Sequence, residues 1–270
     1  MLQVNGISLQ LEDHGSGRPV LLLHGWPDSS YLWRNQIPLL VANGFRAIAP
    51  DLRGLGRSDR PEGVAAYSLQ NAVGDVVGIL DASGIEAADI HDWGATVAWF
   101  TATAHPHRVH KLVVLSVPHP LAPRTLRQRE MAWYQLFFQF EGIAEAWLQH
   151  DNWALFREVL RGDGDIERYI SDLSRPGALA ASLHWYRANL APRLPESSPK
   201  LPLVEAPTLG IWSTNDHYLD GERMKMSGRF VKGPWRYEQI DRASHWIPLD
   251  AAYQLNHLSS SGWADAFRAN

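Results

Sequence analysis

A chain of 270 residues, 45% apolar and 20% charged, has the balance of a globular protein with a sizeable core. Its net charge of −4 and pI of 6.3 leave no basic footprint for nucleic acid or an anionic membrane. Cysteine is absent, which excludes disulfides, thiolate metal sites, iron–sulfur clusters and a cysteine nucleophile. The longest aliphatic run, Val20-Leu21-Leu22-Leu23, falls far short of the roughly 18 residues of a membrane span. Met1-Leu2-Gln3-Val4 opens no basic-then-apolar signal sequence. The expectation is a cytoplasmic protein.

Residues 19–23 and 46–49 read as strands, each running into loop chemistry: His24-Gly25-Trp26-Pro27 and Pro50-Asp51-Leu52-Arg53-Gly54. Ser68 then reads as the N-cap of a helix. Its apolar positions Leu69, Val73, Val76, Val77 and Leu80 form one stripe, and Gly84 ends it. Residues 87–90, 112–117, 208–212 and 236–240 continue the strand series. Helices between strands predict an α/β fold with a doubly wound, mostly parallel sheet.

The stretch between 117 and 208 breaks this rhythm, with helical patterning and no convincing strand. A connection that long predicts an inserted helical lid, with Pro192 to Pro207 as a Pro-rich return. The division expected is a core of residues 1–120 and 204–270 with a lid of 121–203. In such a sheet an insertion leaves from the carboxyl ends of the strands, where ligands bind.

Ile90-His91-Asp92-Trp93-Gly94-Ala95, followed by a helix-like 96–104, has the strand–turn–helix order of a nucleophile elbow with Asp92 at its centre. A carboxylate needs no general base to be ionised at neutral pH, and it suits displacement at an sp³ carbon. Asp92 could equally be only a helix N-cap. Its company argues for chemistry. Asp216, just past the strand ending at Trp212, and His245, after the last strand, follow it in the order nucleophile, acid, histidine. Asp220 and Asp241 are the reserve acids. His217 is a competing base, and His105, His107 and His110 read as surface residues.

With these residues in place, the sequence resembles an epoxide hydrolase of the α/β-hydrolase family from about Val4 to Leu255. His24-Gly25-Trp26-Pro27 matches that family's HGxP motif. By that match the amides of Trp26 and Trp93 would form an oxyanion hole beside a cis proline. Tyr134, in Trp133-Tyr134-Gln135, and Tyr186, in Trp185-Tyr186-Arg187, resemble the two lid tyrosines. Epoxide opening generates an alkoxide, which a phenol can assist by donating a hydrogen bond or proton. The resemblance implies an Asp92 ester, hydrolysed by water that His245 activates and Asp216 orients. It implies a small epoxide and water as partners and no cofactor.

Twelve tryptophans are a heavy load, and Trp26, Trp93, Trp185 and Trp246 are the expected aromatic lining for an apolar epoxide. Trp133, Trp147 and Trp153 also fall in the lid, and packing between lid and core would account for most of the twelve equally well. One departure stands out. Ile90 occupies a position where the family usually has a small residue, and the stretch before His91 is about two residues short. A branched side chain there is expected to crowd the elbow. The rival readings are a haloalkane dehalogenase, which shares the Asp and His and which Ser29-Ser30-Tyr31-Leu32-Trp33-Arg34 resembles, and a non-catalytic ligand-binding protein on the same fold.

Overall fold

The computed structural model describes residues 1–93, 95–190 and 201–260. The chain opens with a hairpin of β1 (Leu2–Val4) and β2 (Ile7–Leu9). Its two-residue turn, Asn5-Gly6, has positive φ at both positions (48° and 76°), the type I′ geometry that this dipeptide favours. Next come β3 (Leu11–Gly15), β4 (Arg18–Leu23), α1 (Ile37–Ala42), β5 (Phe45–Pro50) and α2 (Leu69–Ala82). Ser68 caps α2 by accepting the Asn71 amide, and Gly84 leaves the helix with φ 67°. After α2 lie β6 (Ala88–Trp93), α3 (Thr96–Ala104) and β7 (Val109–Leu115).

Five helices then intervene before the next strand: α4 (Leu126–Met131), α5 (Trp133–Phe137), α6 (Ile143–Leu160), α7 (Ile166–Leu173) and α8 (Ala178–Leu190). α6 is broken at His150–Trp153, where Asp151, Asn152 and Trp153 all have positive φ. The chain closes with β8 (Thr208–Ser213), α9 (Gly221–Met226), β9 (Trp235–Ile240), α10 (Ile247–Asp250) and α11 (Ala252–Ser260). Of the expected return segment, 191–200 lies outside the described residues, and Val204 bridges to Val231 in the remainder.

Seven strands form one sheet in the order β3-β5-β4-β6-β7-β8-β9, with β3 antiparallel and every other pair parallel. Alternation along β4 sends Val20 and Leu22 into one core and Leu21 and Leu23 into the other. The second core holds α2 and α3 through Val76, Ile79, Ala98 and Ala102. The first holds lid residues such as Phe138 and Phe156. The chain goes from β4 outward to β5 and returns to the other side of β4 as β6. That reversal opens a crevice at the carboxyl ends of β4 and β6, where ligands of such sheets bind.

Most strand ends fall within a residue of the sequence reading, but β6 and β7 differ by more, β7 ending at Leu115 rather than 117. β7 starts at Val109 rather than 112, and β6 runs on to Trp93 rather than stopping at 90. In β6, Asp92 pairs with Val114 and Trp93 with Leu115. Asp92 is therefore still strand and, among the described residues, is not one with positive φ; Ala95, after it, has φ 26°. This accounts for Ile90. It is fully buried in the core that also holds α2 and α3. Ile90 therefore sits within regular strand pairing, opposite Leu112 and Leu21, rather than at the turn.

Candidate active site

β4 delivers His24-Gly25-Trp26-Pro27 into the crevice. The His24 ring holds this loop in shape: Nε2 accepts the Leu52 amide at 2.9 Å, so Nδ1 carries the proton it donates to the Gly25 carbonyl, also at 2.9 Å. Burial pushes the His24 pKa down, which keeps the ring neutral for this role. The Trp26–Pro27 peptide is cis. The Trp26 indole donates to Ser182 Oγ of α8 at 3.0 Å and lies edge-on to Tyr186, joining core to lid.

Asp92 lies one residue before the end of the neighbouring strand β6, 2% exposed. Its Oδ2 accepts the Ala98 amide at 2.9 Å, and the Ala95 amide also binds the carboxylate. Burial pushes the carboxyl pKa up to about 7, against these two amides, which pull it down. The group is thus about half ionised at neutral pH, not fully ionised as an exposed aspartate would be. Asp92 is not the N-cap of α3, which is Ala95; its carboxylate accepts an amide of the helix's first turn and faces the cavity. Among the described residues, Trp26, one of the two expected oxyanion donors, makes no hydrogen bond to this carboxylate. The side chain of Trp93, and Gly94 after it, lie outside them.

The acid and the histidine meet as their chain order suggested. His245 Nδ1 lies 2.7 Å from Asp216 Oδ2, while Asp216 Oδ1 accepts the amides of Tyr218 and Leu219 at 2.8 and 2.9 Å. The carboxylate is held from behind and aimed at the ring, which fixes the proton on Nδ1 and makes Nε2 the basic nitrogen. The alternatives point elsewhere. Asp220 caps α9 and accepts the Thr125 hydroxyl, Asp241 is exposed and bonded to Gln239, and His217 lines a separate small cavity.

Asp92, His245, Tyr134 and Tyr186 all line one cavity of about 580 Å³. The two tyrosine rings lie edge-to-face at 5.9 Å. Arg187 holds the second in place: it pairs with Glu145 of α6 at 2.7 and 2.9 Å and donates to the Phe138 carbonyl. Burial raises the Tyr134 pKa to about 12 and also raises that of Tyr186 well above its ordinary value. Both phenols therefore keep their protons and can donate them. Apolar side chains such as Leu55, Leu69, Val97 and Phe100 form much of the remaining wall.

The four tryptophans do not share one role. Trp26 and Trp185 line the cavity, and the Trp185 indole donates to the Arg53 carbonyl at 3.0 Å. Trp246 requires a correction: it is 2% exposed, outside the cavity lining, and donates its indole N–H to Asp28 at 2.9 Å. Trp133 and Trp147 lie on the lid surface, 48% and 58% exposed, so packing against the core does not explain them.

Two residues escaped the sequence reading. The Tyr218 ring lies tilted 5.1 Å from His245 and edge-to-face 5.9 Å from Tyr134, with its hydroxyl donating to the Val159 carbonyl. Its place two residues after Asp216 was the available signal. Asp28 is buried and accepts Tyr169 Oη at 2.7 Å as well as Trp246. Gly164 of the lid fits against the same pair, since a Cβ there would sit 2.7 Å from Tyr169 Oη and 2.9 Å from Trp246.

Comparison with known proteins agrees with this architecture. Residues 18–252 match the family described as alpha/beta hydrolase fold. The chain belongs to that family. It is 34% identical to the AB hydrolase superfamily protein YfhM of Bacillus subtilis, over 95% of this chain and 94% of that one. It is 33% identical to epoxide hydrolase A of Mycobacterium tuberculosis, over 92% and 91%. Among solved structures, epoxide hydrolase A of Mycobacterium thermoresistibile superposes with TM-score 0.79 at 28% identity, covering 98% of this chain and 97% of that one.

Proposed function

We propose that this protein is an epoxide hydrolase that opens a small epoxide to a vicinal diol through a covalent ester on Asp92. The observation that carries the reading is the cavity itself, which brings a buried carboxylate, a carboxylate-oriented histidine and two protonated phenols to one wall-to-wall space. In the first step an Asp92 oxygen attacks an epoxide carbon while Tyr134 and Tyr186 donate to the departing oxygen. In the second, His245 Nε2 takes a proton from water, whose oxygen adds to the ester carbonyl carbon; the diol leaves and Asp92 is restored. The similarity to proteins named epoxide hydrolases supports the substrate class. The lid is the helical segment 121–203, set on a core of 1–120 and 204–270, and a cysteine-free chain suits a cytoplasmic setting.

The haloalkane dehalogenase reading uses the same Asp92 and His245, but it gives no task to the paired phenols. A single turnover in ¹⁸O-water with enzyme in excess tests the mechanism. The first diol should be largely unlabelled, with the label retained in the peptide containing Asp92. Label appearing directly in the first diol would mean that water attacks the epoxide and that Asp92 is no nucleophile.

A further inference from the structure

Pro120, Leu121 and Arg124 lie between β7 and α4 and form part of the cavity wall. Arg124 is exposed, so it stands where the cavity meets the surface. It is the one permanent cation among the described lining residues. Among the described residues its guanidinium makes no hydrogen bond and no ion pair. Two other polar side chains of the wall are already engaged. Asn189 accepts the Leu69 amide and donates to the carbonyls of Tyr67 and Trp185, and the Gln135 amide donates to the Tyr134 hydroxyl at 3.3 Å.

The backbone on either side of Arg124 is fixed, although its own side chain is not held. Arg223 of α9, 5% exposed, donates to the carbonyls of Ala122 and Pro123 at 2.9 and 3.1 Å. Thr125 caps α4 and donates its hydroxyl to Asp220 at 3.0 Å. Gln128 donates to the Tyr218 carbonyl and accepts the Asp220 amide. These bonds tie the segment to the loop that carries Asp216. Two guanidinium groups share this corner. Burial, and then the nearby charge of Arg124, push the Arg223 pKa down to about 10, against the pull of Asp220. The charge of Arg124 also reaches Tyr134, where it opposes the burial that raises the phenol's pKa. Like charges this close repel, and an incoming anion relieves the repulsion.

We propose that Arg124 binds a carboxylate on the substrate, so that the epoxides this protein prefers are apolar molecules bearing an anionic group remote from the ring. The inference rests on the epoxide hydrolase reading above and narrows its substrate class. A guanidinium presents a planar fork of donors that matches a carboxylate bidentately. Val117, Leu121 and Leu219 give the wall an apolar stretch, which suits hydrocarbon between the two polar ends. Holding the charged end at the mouth leaves the ring end directed inward, toward Asp92 and the tyrosines. It also keeps the substrate's charge in water and away from Asp92, whose own charge would repel it.

The test compares substrates that differ only in this charge. One pair is the glycidyl ether of para-hydroxybenzoate and that of its methyl ester; the other, of longer reach, is an alkanoate with a terminal epoxide and its methyl ester. In the full-length protein at least one acid should show a kcat/KM about three- to tenfold above that of its ester. Arg124→Gln should erase this preference, and Arg124→Glu should reverse it. Taking the acid-to-ester ratio within each variant cancels the lost influence of Arg124 on Tyr134, which acts on both substrates alike. Added salt should shrink the ratio, because the cation is exposed. Equal values for acid and ester in both pairs would overturn the proposal, and so would a preference that survives in Arg124→Gln. If neither acids nor esters were opened, the epoxide hydrolase reading itself would fail, an outcome distinct from a missing preference.

Discussion

Trp246, the neighbour of His245, donates its indole N–H to Asp28, two residues past Trp26, at 2.9 Å. This bond ties the histidine loop to the cis-proline loop. Burial pushes the Asp28 pKa up to about 7, while the bonds from Tyr169 and Trp246 pull it down. The unfolded chain loses this proton near pH 4, so between pH 4 and 7 the folded form binds more protons. Stability from this group is therefore greatest below pH 4 and declines until about pH 7. Asp28→Asn should lose less stability than the unaltered protein between pH 5 and 8, by up to a few kcal/mol. Parallel melting curves across that range would contradict this.

His245→Gln should still open the epoxide but stall at the ester, because the water loses its base. The expected trace is a burst of one equivalent of epoxide consumed, followed by turnover reduced at least about 10³-fold. Asp216→Asn should slow hydrolysis more than ring opening, since it disturbs only the orientation and tautomer of the ring. Full turnover in His245→Gln would point to another base.

Tyr134→Phe and Tyr186→Phe should each slow ring opening, within the roughly 10²–10⁴-fold span of acid assistance, and the double variant should nearly abolish it. Hydrolysis of a preformed ester should change far less. Stopped-flow tryptophan quenching can follow the first step, given that Trp26 lies 5.8 Å from Tyr186. Ring opening at the normal rate in both single variants would favour dehalogenation, which a bromoalkane assay would reveal.

Asp92 must be ionised to attack. With its pKa raised to about 7 by burial, the rate of ring opening should climb with pH and level off above about 7. Below that value it should fall close to tenfold per unit. An exposed aspartate would place the same limb near pH 4. Single-turnover rates between pH 5 and 9 decide between the two.

Much of this site was legible because its parts are local. A strand ending in loop residues is visible one element at a time, and the order Asp92, Asp216, His245 places the three at strand ends once the sheet is parallel. The helix at Ser68 announced both its ends. What the sequence concealed was geometry that depends on contacts between distant residues. Nothing around Ile90 indicated that β6 would continue through Asp92, because that follows from pairing with Val114 and Leu115. Trp246 adjoins the histidine, yet its indole turns toward Asp28, a partner 218 residues away in sequence. Tyr218 gave only a weak signal, its proximity to Asp216.

Asp28 also accepts from Tyr169, on α7 of the lid, and Gly164 has no room for a side chain against that tyrosine and Trp246. The helical insertion is consequently not an interchangeable part. A chimera carrying a foreign cap would strand a buried carboxylate unless it also imported a phenol at position 169 and a glycine at 164. Libraries that reshape the pocket through α5 or α8 can leave this joint alone. Those that reach α7 would disturb the seating of the histidine loop.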